Sequence, residues 1–271
     1  MSKHQRGLLV FLFVAFVPVW ACDIFMSEDN PLYWYTALFC TLGGFAASYA
    51  EGGRDGLREF GRRTLRVAGS LRFIVIGYLI PLGLGLGWMA LRAAGKLPAT
   101  FHPAFDAGFL AMLATAWITG PFAEEFGWRG YLQTRLLNRM SPFLTALVVA
   151  LIWAVWHLPA FYDSVFSSLR STLGFTAHCL TLSLLLVWLV PRAGGSVWPA
   201  VFLHWSANTH ARILETTFPG IGGGNLPGGA SSAPYYLGAA LLFVVWQRKY
   251  YFHRPSRIGT PGATPQGAMP A

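Results

Sequence analysis

The chain has 271 residues, of which 54% are hydrophobic and only 11% charged, against roughly 25% charged in an ordinary soluble domain. Apolar runs of about 20 residues recur along it, most without a polar stripe, which argues against a soluble core and predicts bilayer-spanning helices. The net charge of +9 is spread over the connections between apolar runs rather than gathered in one patch, so no nucleic-acid partner is expected.

Taken in order, Lys3 and Arg6 precede an apolar run from Leu8 to about Phe25. No small-residue cleavage site follows it, so a retained first span is expected rather than a signal peptide. Asp23, Glu28 and Asp29 mark an acidic turn, and a second span runs from about Pro31 to Ala50. Next come Arg54, Arg58, Arg62, Arg63, Arg66 and Arg72, interleaved with Leu57, Phe60, Leu65 and Val67. That pattern predicts an interfacial helix with its cations on anionic head groups. A third span is expected over about Phe73–Leu91, a Pro-containing loop over Lys96–Asp106, and a fourth apolar run over Gly108–Trp128.

The polar stretch Arg129–Met140 keeps helical spacing through Tyr131, Leu132, Leu136 and Leu137. Further spans are expected at about Pro142–Phe161, Thr172–Val190, Val197–Leu214 and, after a Gly/Pro-rich loop at Pro219–Pro234, a short one at Tyr235–Trp246. With alternate connections on opposite sides, sixteen Lys and Arg fall on the N-terminal side and four on the other. The positive-inside rule then predicts an all-α polytopic bundle of about eight spans, both termini cytoplasmic. One transmembrane domain over 1–252 and a disordered tail over 253–271 complete the expected layout. Cys22, Cys40 and Cys179 form no C-x-x-C or Cys/His cluster and read as small buried hydrophobes.

Two adjacent carboxylates, Glu124 and Glu125, lie in an apolar run away from its ends. A charge at mid-helix costs about 2.5–3.5 kcal/mol on insertion scales, which points to function. Neighbours on an α-helix diverge by about 100°, so the two carboxylates face different ways. Glu125 and Arg129 are i, i+4 and can pair, leaving Glu124 to face a cavity. His157 closes the fifth apolar run, while His204 and Asn208 share one face of the seventh. His210 points away from that face, and His178, lacking a companion, reads as a satisfied core histidine. Each of these groups also has a bland reading: the glutamates snorkelling to an interface, His157 as an interfacial residue, and His204 with Asn208 as helix-packing glue.

Together, a carboxylate, two imidazoles and an amide suit hydrolysis of a carbonyl compound. One acid/base pair would activate water and a His/Asn pair would donate to the oxyanion. The same Glu124, His157 and His204 could ligate a divalent metal such as zinc. No H-E-x-x-H or G-x-S-x-G occurs, so neither the zincin layout nor the serine-hydrolase elbow applies. Other classes open to these residues are a non-catalytic immunity or scaffolding protein and a transporter carrying protons on Glu124.

In order and spacing, Glu124-Glu125-Phe-Gly-Trp-Arg129, Trp153-Ala-Val-Trp-His157 and His204-Trp-Ser-Ala-Asn208 resemble the E-E-x-x-x-R, F-x-x-x-H and H-x-x-x-N/D motifs of the CAAX prenyl protease and bacteriocin-processing family of intramembrane proteases (Abi proteins). The resemblance covers about 121–208 and implies a catalytic core of about 108–248. It implies Glu124 as the water-activating base assisted by His157, His204 with Asn208 as the oxyanion site, and Glu125 with Arg129 as helix support. Trp153 stands where the family usually has Phe; both are large aromatics, and no change of role is expected. The implied activity is cleavage of a membrane-associated peptide or protein, by a glutamate or a metal route, with lipid and the substrate as partners. Arg-rich connections suggest a bacterial plasma membrane. These roles require the fourth helix to continue past Arg129 towards Leu137, because otherwise Glu124 and His157 would lie roughly 20 Å apart in depth.

Overall fold

The computed structural model describes residues 1–27, 29–93, 105–218 and 229–253, and these form helices joined by turns, with no strand among them. Most of the expected loops at Lys96–Asp106 and Pro219–Pro234, the acidic Glu28 and the tail from Arg254 lie outside the described residues.

We number the helices α1 (Lys3–Phe25), α2 (Leu38–Thr64), α3 (Leu71–Arg92), α4 (107–137), α5 (Pro142–Trp156), α6 (Leu169–Arg192), α7 (Trp198–Thr217), α8 (Gly229–Trp246) and α9 (Arg248–Phe252). Among the described residues, α1, α3 and α6 are long and apolar enough to cross a bilayer; α5 and the stretch Ser231–Trp246 are shorter apolar helices. Local chemistry sets several ends. Asp106 Oδ1 accepts from the Phe109 N–H at 2.7 Å to start α4, and Ser141 caps α5 with Pro142 at its first position. Pro159 offers no N–H and disfavours helix before it, so α5 stops at Trp156, five residues short of the expected Phe161.

Gly53, at φ 59°, breaks α2 and separates its apolar limb from the arginine-bearing one. Arg54, Arg58 and Arg62 face outward as the interfacial reading expects, but Arg63 turns inward: its guanidinium donates to the Gly130 carbonyl at 2.7 Å.

The fourth helix does continue to Leu137, though not as one regular α-helix. An α-helical start, Ala107–Trp117, passes into a π-helical segment, Ile118–Phe122, then one α-turn, Ala123–Glu125, a second π-segment, Phe126–Gln133, and a last α-turn, Thr134–Leu137. Such widened turns weaken the regular hydrogen-bond ladder, and the carbonyls along this stretch take side-chain donors instead. Thr41 donates to the Phe122 carbonyl at 3.2 Å, the Cys40 thiol to that of Glu124 at 3.4 Å, and Thr134 to that of Arg129 at 3.1 Å. Two of these donors come from α2, which packs against both α1 and α4.

That contact is close because its residues are small. A Cβ on Gly127 would collide with the backbone and sulfur of Cys40, and one on Gly44 would lie 3.0 Å from the Phe126 carbonyl oxygen. On the other side, α7 packs against α3 and α4, α5 against α6, and α8 against α6.

Candidate active site

Glu124 lies just past the midpoint of α4 with a buried side chain. Its Oε2 accepts from the indole N–H of Trp153 at 2.6 Å and from that of Trp128 at 3.3 Å. Trp153 is one turn before His157, which caps α5, so its indole ties Glu124 to about one helical turn from His157, and both line one cavity in place of the roughly 20 Å offset. Oε1 of Glu124 has no hydrogen-bond partner among the described residues. It lies 3.9 Å from the point a Cβ on Gly120 would occupy, and Asn208 Nδ2 lies 3.4 Å from the same point.

Glu125 turns the other way. Both it and Arg129 are fully buried, and Arg129 donates to Glu125 Oε1 at 3.2 Å. The same oxygen is 2.8 Å from Nδ1 of His204 on α7. A carboxylate can only accept, so that nitrogen carries the hydrogen and the imidazole tautomer is set. Arg129 also reaches Ser183 Oγ on α6 at 3.3 Å and stacks 4.3 Å from the Trp153 ring centroid. Glu125 thereby links α4, α6 and α7 around one buried charge pair.

His157 directs Nδ1 to the carbonyl of Trp153 at 2.9 Å. That leaves Nε2 with its lone pair free. His157 is enclosed by aromatic rings, stacked on Phe161 and edge-on to Trp156 and Phe175.

One cavity of about 620 Å³ is lined by Glu124, His157, His204 and Asn208 together with Trp153 and Gly120. Three separate apolar helices therefore deliver the four expected groups to one space. A second cavity, of about 530 Å³, lies towards α3 and α8 and shares Ser164, Phe175, His178 and Asn208 with the first.

His178 is the residue that sequence reasoning misread. It lines both cavities and makes no hydrogen bond among the described residues, so it is not a satisfied core histidine. The discounted His210 does behave structurally: Nδ1 reaches the Ser206 and Ala207 carbonyls, and Nε2 lies 2.8 Å from the Tyr236 hydroxyl. Trp153 needs a second correction, because its equivalence to Phe holds for volume and not for its N–H.

A metal would need three donors aimed at one point. No three His, Cys, Asp or Glu side chains converge in that way among the described residues. His157 and His204 each keep Nε2 available, and Glu124 keeps Oε1, so it is the lack of convergence and not a lack of free donor atoms that fails the fit. As arranged, Glu124, His157 and His204 do not fit a bound metal ion, and the chemistry below is routed through the side chains alone.

A bundle of apolar helices thus gathers a carboxylate, imidazoles and an amide around one cavity in a multi-pass membrane protein. Residues 106–210 match the family model described as Type II CAAX prenyl endopeptidase Rce1-like. The chain is also 26% identical over 145 residues to CAAX prenyl protease 2 of Methanococcus maripaludis, an alignment covering 51% of this chain and 50% of that protein. Both matches support a likeness to the CAAX prenyl protease and bacteriocin-processing family, and the aligned part of the chain spans about half the length of this relative.

Proposed function

We propose that the protein is an intramembrane endopeptidase that hydrolyses a peptide bond with Glu124 as general base. The observation that carries this reading is the division of labour within one carboxylate. Oε2 of Glu124 is held by two indole donors, and Oε1 is left to the cavity that His157, His204 and Asn208 also line. A general base needs this: a fixed carboxylate with one lone pair presented to water.

In the proposed reaction, water sits between Glu124 Oε1 and His157 Nε2, which accepts a hydrogen bond from it. Attack on the scissile carbonyl transfers one water proton to Glu124 and forms a tetrahedral oxyanion. Asn208 Nδ2 donates to that oxygen. Donation from His204 Nε2 requires the imidazolium, since Nδ1–H is already directed at Glu125. Glu124 then delivers its proton to the departing amine as the C–N bond breaks, which restores the carboxylate. Arg129 keeps the Glu125 carboxylate in place throughout.

The relative is named a CAAX prenyl protease; for this chain, a membrane-associated peptide or protein in a bacterial plasma membrane is the proposed substrate. The test is to purify the protein and its Glu124→Gln variant in micelles and to offer both a library of internally quenched peptides, with and without a chelator. Cleavage by the parent protein, absent in the variant and indifferent to chelator, is the expected result. Equal cleavage by both proteins removes Glu124 as the base, and loss on chelation with recovery on added zinc replaces the glutamate route by a metal one.

A further inference from the structure

Trp153 touches three of the four groups of the site. Its indole N–H donates to Glu124 at 2.6 Å, its backbone carbonyl takes Nδ1 of His157 at 2.9 Å, and its ring meets His204 edge-on, with centroids 5.0 Å apart. Its other relation is to the Arg129 guanidinium, 4.3 Å from the ring centroid. The residue is 2% exposed. Of the two indoles on Oε2, that of Trp153 is the nearer by 0.7 Å (2.6 against 3.3 Å). It is also the only one supplied by α5, the helix that carries His157.

We propose that Trp153 is a positioning residue for Glu124: its N–H fixes the carboxylate torsion so that Oε1 faces the cavity at the level of His157. The proposal rests on Glu124 being the base. Without this donor, the Trp128 indole at 3.3 Å is the remaining restraint on Oε2, and the carboxylate can rotate about its last bond. A Phe here, the residue usual in the resembling motif, would fill much of the same space and donate nothing. The N–H is thus a feature of this chain that the motif does not specify. Because the same ring supports Arg129 and His204, a large truncation would disturb more than the hydrogen bond, and the test must keep the shape.

The experiment compares the full-length protein with a version carrying β-(3-benzothienyl)alanine at position 153, which puts sulfur where the N–H was, and with Trp153→Phe. Each is assayed on whichever library peptide the parent protein cleaves, and each is melted in micelles. The expected result for the isostere is a kcat roughly ten-fold lower, the scale of one hydrogen bond to a charged group. KM and melting temperature should stay near those of the parent. Wild-type kcat in the isostere overturns the proposal and leaves Trp153 as packing alone. A kcat loss matched by a comparable rise in KM or fall in melting temperature overturns it too, since a structural defect would produce that. Should the Phe variant fail to fold, the isostere decides. The Glu124→Gln protein run alongside separates the two ideas: if it is inactive while the isostere is fully active, only the role of Trp153 falls.

Discussion

Glu125 and Arg129 make the sharpest quantitative test. Both side chains are fully buried. Replacing Glu125 by Leu leaves a guanidinium whose remaining support is a 3.3 Å hydrogen bond to Ser183 and the Trp153 ring. Its Nε already lacks a partner. Uncompensated, a buried charge of this kind costs about 3–5 kcal/mol. Replacing Arg129 by Met strands Glu125 in turn, with the His204 contact left to it. The double variant removes both charges and puts apolar groups of similar length in their place, which in other buried pairs is close to neutral.

Reversible unfolding of the four proteins in micelles should therefore show two singles destabilised by several kcal/mol and a double that recovers most of the loss. The coupling energy should exceed about 2 kcal/mol, well above the 0.3–0.5 kcal/mol within which independent sites add. Additive losses would refute the idea that these two residues act as one unit. Activity should part company with stability here: the double variant folds, yet His204 has lost the carboxylate that orients its ring and supports its imidazolium form, so cleavage should stay at least ten-fold down. Full activity in the double would show that Glu125 does nothing for His204.

Three further outcomes are expected. Asn208→Ala, at a position that lines the cavity rather than the packed core, should cost about 10²–10³ in kcat, as loss of one oxyanion donor does, with an unchanged melting temperature; steady-state kinetics on a cleaved peptide checks this. Gly127→Ala forces a methyl against the Cys40 backbone and should destabilise by about 1–3 kcal/mol or more through overpacking, visible as early unfolding in micelles. Arg63→Met deprives the Gly130 carbonyl of its 2.7 Å donor and should lower stability by about 1.5–3 kcal/mol. Arg62→Met, on the exposed flank, should leave stability within about 0.5 kcal/mol, and equal losses at the two positions would show that Arg63 is no latch.

Some of this architecture is legible in the chain because its signals are local. Glu125 with Arg129 and His204 with Asn208 each lie one helical turn apart, so sequence spacing alone puts each pair on one face. What joins them is packing between helices, and packing leaves no mark in spacing. His178 has no polar neighbour at i±3 or i±4 to betray it, yet the α5–α6–α7 contacts bring it to the same cavity. Arg63 sits in a run of arginines whose common signature is the interface, and only the crossing of α2 with α4 picks it out as the inward one. Reading Trp153 as a large aromatic captured its volume and missed its donor, since volume is what apolar patterning measures. Nothing in the composition of 118–133 announces widened turns; the helix adopts them where side chains from α2 are in place to satisfy the carbonyls released.

Those widened turns bear on why two acids stand side by side. In a lipid-enclosed bundle each carboxylate must be given donors from the protein. Two at one place on one face would repel each other and compete for the same donors. Adjacent positions on a helix solve the problem by direction. Glu124 faces α5 and its indole, and Glu125 faces α6 and α7 with Arg129 and His204. The two therefore differ in kind: Glu125 is matched by a guanidinium and an imidazole on one oxygen. Glu124 accepts hydrogen bonds only from the neutral indole N–H groups of Trp128 and Trp153, both on one oxygen. The second arrangement suits the base proposed above, which would gain and lose a proton in each turnover. The Glu125→Leu/Arg129→Met protein tests this directly, because it should remain folded with Glu124 still held by both indoles, leaving His204 as the part of the site whose loss is measured.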